Sequence, residues 1–334
     1  MNQRDRAGMT PLIWAARYGH EEVVRLLLRS KHIQPDQQGT SCGRTALSWA
    51  AGNGHEAVVR LFLGPRFVNP GSIGRRWGNA PRAAGLLFGR RYVNSDCSST
   101  SGRTPLSWAA ENGHEGTLKL LLERKDVNPN TLDSEYGRTP LSWAARNGHE
   151  GTLKLLLERK DVNPNISCKS SRTPLLRAAK RGHEGIVKLL LEREEVNPDS
   201  SDKYRRTPLS WAAQNGHEGI VKLLLERKEV NPDSSGRYGR TPLSWAAKYG
   251  HEGVVKLLLG REEVNPDSSN TSGRTPLSWA AENGHGGVVK LLLGQKNVKP
   301  NSSSKSGETP LTLATKNGHH RVVELLQARH NRHT

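Results

Sequence analysis

The chain has 334 residues, 34% hydrophobic and 25% charged, with a formal net charge of +18. No apolar run approaches the roughly 18 residues of a membrane-spanning helix, and Met1-Asn2-Gln3-Arg4-Asp5 is not followed by the apolar core of a secretion signal. Cys42, Cys97 and Cys168 are odd in number and far apart, unlike a disulfide framework or a zinc site. They read as reduced thiols of an intracellular protein, so the glycosylation patterns at Asn165, Asn270 and Asn301 carry no weight.

Internal repetition organises the chain. Thr-Pro or its remnant occurs at Thr10, Thr45, Thr104, Thr139, Thr173, Thr207, Thr241, Thr275 and Thr309, at intervals of 34 residues from Thr139 onward. Such a period marks stacked repeats, each too small to bury its own apolar face. One array over 1–334 is therefore expected, with units near 8–41, 43–70, 71–95, 102–136, 137–170, 171–204, 205–238, 239–272, 273–306 and 307–334.

The first unit keeps the internal apolar pattern at Leu12, Ile13, Trp14, Val23 and Val24, which predicts exposed apolar surface at this end. The unit at 71–95 is degenerate. Its Ala83-Ala84-Gly85 runs straight into Leu86-Leu87, with no Gly-His turn between them, which predicts at most short helical turns and a weak joint. In 137–170, Thr139 caps a helix, Pro140 suits its first position, and Asn147-Gly148 ends it. Glu150 opens a second helix with Leu153, Leu155, Leu156 and Leu157 as its buried stripe, and Asn163-Pro164 stops it. In 171–204, Arg177 occupies the slot that elsewhere holds Trp14, Trp49, Trp108, Trp143, Trp211, Trp245 or Trp279. The tryptophans are read as core, and the arginine as a local weak point that must snorkel or find a partner. The last unit turns polar at Thr315 and Gln327, as a solenoid end should.

The run Thr-Pro-Leu-Ser-Trp-Ala-Ala, then Asn-Gly-His-Glu, then Lys-Leu-Leu-Leu and Val-Asn resembles the ankyrin-repeat family over essentially all of 8–334. That resemblance implies an all-α solenoid of helix-turn-helix units with protruding loops, and a protein-binding concave side built from loops and first helices. Two departures stand out. Ser48, Ser107, Ser142, Ser210, Ser244 and Ser278 replace the family's histidine, which implies rearranged hydrogen bonds. The loop before each Thr-Pro is also lengthened.

Nothing points to catalysis. His20, His55, His114, His149, His183, His217, His251, His285 and His319 recur at one place per unit, as turn residues do. Leu118 and Leu153 stand where a zinc-protease motif needs its second histidine. No phosphate loop and no single asymmetric constellation occurs, so no enzyme, cofactor or metal is expected.

Charge carries the functional reading. The residue before Thr-Pro is basic at Arg44, Arg103, Arg138, Arg172, Arg206, Arg240 and Arg274 and acidic at Glu308. Near the first helix's end, Arg17, Arg146, Lys180, Lys248 and Lys316 face only Glu111 and Glu282 at the same position, and Arg181 follows Lys180. Together these carry +10 of the net +18. The partner-binding residues expected are Arg44, Arg103, Arg138, Arg146, Arg172, Lys180, Arg181, Arg206, Arg240, Lys248 and Arg274. The expected function is a non-enzymatic scaffold that binds an acidic protein segment, inside the cell. Two alternatives remain open: the sensing half of a larger receptor, or a basic scaffold for nucleic acid or anionic membrane.

Overall fold

The computed structural model describes residues 2–40, 42–64 and 93–330. Among them are eighteen helices and no strand, an all-α repeat solenoid of helix-turn-helix units. The helices fall in pairs: α1 Pro11–Arg17 and α2 Glu21–Leu28, α3 Ala46–Gly52 and α4 Glu56–Leu63, α5 Pro105–Asn112 and α6 Glu115–Leu122, α7 Pro140–Asn147 and α8 Glu150–Leu157, α9 Pro174–Arg181 and α10 Glu184–Leu191. They continue with α11 Pro208–Asn215 and α12 Glu218–Leu225, α13 Pro242–Tyr249 and α14 Glu252–Leu259, α15 Pro276–Glu282 and α16 Gly286–Leu293, and α17 Pro310–Lys316 and α18 His320–His330.

The chain divides into two compact units, Met1–Lys169 and Ser170–Thr334. In the first, α1, α3, α5 and α7 stack in chain order, and α2, α4, α6 and α8 form a second layer. In the second, α9, α11, α13, α15 and α17 stack, with α10, α12, α14, α16 and α18 behind them.

Each pair is built as its sequence dictates. The capping threonine is extended (Thr104, φ −85°, ψ 164°), and its hydroxyl accepts the N–H of Ser107, three residues on. The serines that replace histidine turn back on this cap. Ser107, Ser210, Ser244 and Ser278 share hydrogen bonds of 3.1–3.2 Å with Thr104, Thr207, Thr241 and Thr275. The expected rearrangement is therefore local to one unit. Leu106, Ala109, Ala110, Leu118 and Leu121 are fully buried, with small alanines letting neighbouring first helices approach.

The Gly-His turn bonds successive units. His149 Nε2 and Asn147 Nδ2 both reach the Glu111 carbonyl of the preceding pair, at 2.8 and 2.7 Å. His55, His114, His217, His251, His285 and His319 repeat the contact on Arg17, Gly52, Lys180, Gln214, Lys248 and Glu282. The glycine is needed twice over. Gly113 has φ +75°, and a Cβ there would sit 2.6 Å from His149 Nδ1.

Between pairs, each lengthened loop folds into a finger. Asp202 N–H donates to the Arg206 carbonyl at 3.0 Å, and neighbouring fingers are tied by bonds such as Arg237 N–H to Tyr204 O at 2.8 Å. At the start of the chain Asp5 and Met9 close the same turn, so α1 also has a finger. On α2, Val23 and Leu26 are 46% and 62% exposed, whereas Leu12, Ile13 and Val24 are buried, so only part of the apolar pattern at this end is exposed.

The described helices pack closely across the junction after α4. α3 packs directly on α5 and α4 on α6, with His114 Nε2 3.1 Å from the Gly52 carbonyl, as at other junctions. Val93-Asn94 takes the place after α4 that Val127-Asn128 takes after α6, and Asn94 N–H donates to the Asp36 carboxylate at 3.2 Å. The degenerate unit expected at 71–95 falls almost wholly outside the described residues. The short helical turns expected at 70–92 lie outside the described residues.

Candidate functional site

The fingers place each arginine before Thr-Pro against indole rings. The Arg44 guanidinium carbon lies 3.7 Å from the Trp49 ring centroid and 3.9 Å from that of Trp108. Arg103 sits 3.6 Å from Trp108 and 4.2 Å from Trp143, and Arg138 4.3 Å from Trp143. In the second compact unit Arg206 is 3.6 Å from Trp211, Arg240 is 4.7 and 4.3 Å from Trp245 and Trp279, and Arg274 is 3.9 Å from Trp279. Arg172 is more distant, 5.2 Å from Trp211. A planar, weakly hydrated guanidinium stacks favourably on such faces.

This ladder changes the tryptophan reading. Trp143, Trp211 and Trp279 are buried, but Trp14, Trp49, Trp108 and Trp245 are only half-buried, with arginine covering their faces. Arg177, which lacks such a ring in its own slot, is 7% exposed and so does not snorkel.

The same ladder separates the basic residues by role. Arg44, Arg103 and Arg138 are 7–8% exposed and offer a partner little surface. Burial pulls Arg44 down to about 10, still charged at neutral pH. Arg172, Arg206, Arg240 and Arg274 are half-buried. Arg146, Lys180 and Lys248 at the ends of α7, α9 and α13 are half-buried, and Arg181 is exposed. Lys180 Nζ lies 3.9 Å from the Trp211 centroid, and its pKa is lowered by burial and then by Arg172, Arg206 and Arg181. Lys248 is lowered by burial first and then by Arg240.

Carboxylates decide where this charge is compensated. Arg103 pairs with Glu111, and Arg274 Nη2 is 2.6 Å from Glu282. The equivalent position after Arg138, Arg172, Arg206 and Arg240 holds Arg146, Lys180, Gln214 and Lys248. In the second compact unit Asp202 forms ion pairs with both Arg172 and Arg206 at 3.6 Å. There the structure brings Arg172, Lys180 and Arg206 together around one buried carboxylate, and Lys248 lies beside Arg240 on the pairs that follow.

Sequence reasoning missed the aspartates. Asp133 and Asp202 are 2% and 3% exposed, and each accepts an indole N–H, from Trp143 at 3.0 Å and Trp211 at 3.3 Å. The available signal was the nine- or ten-residue spacing of Asp5, Asp133 and Asp202 before their tryptophans.

The family model described as ankyrin repeats (3 copies) matches residues 1–71, 78–167, 160–235 and 243–333. The chain belongs to the ankyrin-repeat family. No curated protein matches it. Ankyrin repeats generally mediate protein–protein interaction and are typically non-enzymatic scaffolds. Among the described residues of this ankyrin-repeat protein, no helix is long and apolar enough to cross a membrane.

Proposed function

We propose that the protein is an interaction scaffold whose basic first-helix face docks an acidic protein segment. The observation that carries this reading is the charge pattern next to the arginine–tryptophan ladder. Glutamates answer Arg103 and Arg274, whereas Lys180 and Lys248 add charge beside Arg172, Arg206 and Arg240. Burial first, and then Arg172, Arg206 and Arg181, lower the pKa of Lys180, so an incoming carboxylate relieves some repulsion as well as gaining attraction. Docking falls chiefly on Arg146, Lys180, Arg181 and Lys248, whose heads reach solvent. Arg44, Arg103 and Arg138, stacked on tryptophan rings and nearly buried, serve the packing of their own fingers. Partly exposed charges of this kind govern association rate and partner choice more than raw affinity.

The test reverses Arg146, Lys180, Arg181 and Lys248 to glutamate and compares that variant with reversal of Lys119, Lys154, Lys188 and Lys222 on the second helices. A deca-glutamate peptide serves as the acidic probe. Weaker and slower capture by the first variant alone supports the assignment. Equal loss in both variants means that only total charge matters.

A further inference from the structure

One finger leaves a gap that its neighbour fills. In the finger of Asp202, the carboxylate accepts the Trp211 indole N–H at 3.3 Å and lies 3.6 Å from both Arg206 of its own finger and Arg172 of the preceding one. Asp133 holds Trp143 at 3.0 Å, and Asp5 holds Trp14 at 2.6 Å, in the same way. The next finger in the chain has Gly236 at this place. Its backbone turn is unchanged: Gly236 N–H donates to Arg240 O at 3.0 Å, as Asp202 N–H does to Arg206 O. The carboxylate alone is missing. Trp245 Nε1, like those of Trp49, Trp108 and Trp279, is buried without an acceptor, and at Trp245 a cavity of about 250 Å³ opens between Tyr204, Tyr238, Arg206, Arg240 and Gly236.

The cavity therefore keeps three parts of a carboxylate site: an indole N–H, the arginine of its own finger, and the arginine of the finger before. A Cβ placed on Gly236 would meet Tyr204 O at 3.3 Å and Arg206 Cγ at 3.4 Å, a tight fit that a small local shift would relieve. A buried N–H without an acceptor is costly, and one charge-assisted bond would satisfy it. We propose that this cavity is a carboxylate subsite, in which an aspartate or glutamate side chain of an acidic partner segment accepts the Trp245 N–H between Arg206 and Arg240. The subsite rests on the acidic-partner reading above and gives it one anchoring residue.

The test uses the full chain, deca-glutamate as probe, and the tryptophan indole N–H resonances as readout. Peptide should shift the Trp245 resonance downfield and leave that of Trp211 in place, and deca-glutamine should shift neither. Gly236→Asp should move the Trp245 resonance toward that of Trp211 without peptide and weaken peptide binding about tenfold, the worth of one charge-assisted hydrogen bond. Ser235→Asp adds the same charge on the exposed neighbour and measures the general electrostatic effect, which should be smaller. Trp245→Phe keeps a ring against Arg240, removes the donor and adds no charge, so it should weaken binding as well. Binding that leaves the Trp245 resonance unmoved, or that Trp245→Phe does not weaken, overturns the subsite and spares the basic face. Failure of the wild-type chain to bind the peptide at all overturns both.

Discussion

Thr117 on α6 and Thr152 on α8 bury a hydroxyl with no hydrogen-bond partner. The same position holds Ile186, Ile220, Val254 and Val288 in later pairs, each no more than 1% exposed. Valine has the shape of threonine without the desolvated oxygen, so Thr152→Val should stabilise the protein by about 1 kcal/mol in a denaturant titration. The aspartates after the second helices make a related case. Burial pushes Asp96 up to about 6, and it moves Asp36, Asp199, Asp233 and Asp267 in the same direction. A folded pKa above the unfolded 3.8 means that the fold favours the neutral acid. Its contribution to stability therefore grows as pH falls through about 6 toward 4, and is lost as pH rises. Asparagine already stands at this position in another unit, where Asn130 accepts Asn163 N–H at 2.9 Å and donates to Asp161 O at 2.6 Å. Asp96→Asn should raise the melting temperature above pH 6, and the gain should shrink toward pH 4. A gain that is constant with pH would refute the assignment.

At the scale of the element, the finger and the first helix are one mechanical piece. The arginine before Thr-Pro lies outside the helix, yet its guanidinium covers the tryptophan one turn in and, in several cases, that of the next pair. Cation–π contacts contribute about 0.5–2 kcal/mol each, more where water is excluded. Truncating Trp143, 3% exposed, removes a buried ring, three guanidinium contacts and the donor to Asp133. Trp143→Ala should cost about 3–5 kcal/mol, measured by chemical denaturation. Helical periodicity could not reveal this. It reports which face of a helix a residue occupies, and Arg44, Arg103 and Arg138 precede their helices on irregular backbone. As charges in a string they read as a surface stripe, and only the fold of the finger turns them inward.

For the molecule as a whole, the junction after α4 is the informative one. Four residues, Glu123 to Asp126, join α6 to Val127. Removing residues 68–92 would leave four, Gly64 to Phe67, between Leu63 and Val93. Because α3–α5 and α4–α6 already pack as the other junctions do, this deletion should give a folded chain with an undiminished melting temperature. A large loss would show that 68–92 contributes to the stack. Docking of an acidic segment should also weaken as salt is raised from low to moderate concentration, chiefly through the association rate. A salt-independent rate in stopped-flow mixing would contradict a charge-steered encounter.

The 34-residue period, the Thr-Pro caps, the Gly-His turns and the leucine stripes were enough to derive an all-α stack and its pair boundaries, because each is a local rule obeyed within one unit. The packing partner of a side chain is not local. Tryptophan as a buried position was legible, but its covering by arginine from two different fingers was not, since those residues meet only when loops from successive units lie side by side. The apparent damaged unit shows the same limit. Its residues resemble a shortened repeat, yet that α3 packs on α5 and α4 on α6 is a matter of tertiary contact that the local pattern does not carry. The gap at Gly236 is legible only in space: a glycine in a polar loop carries no signal until an unpaired indole and two guanidiniums surround it.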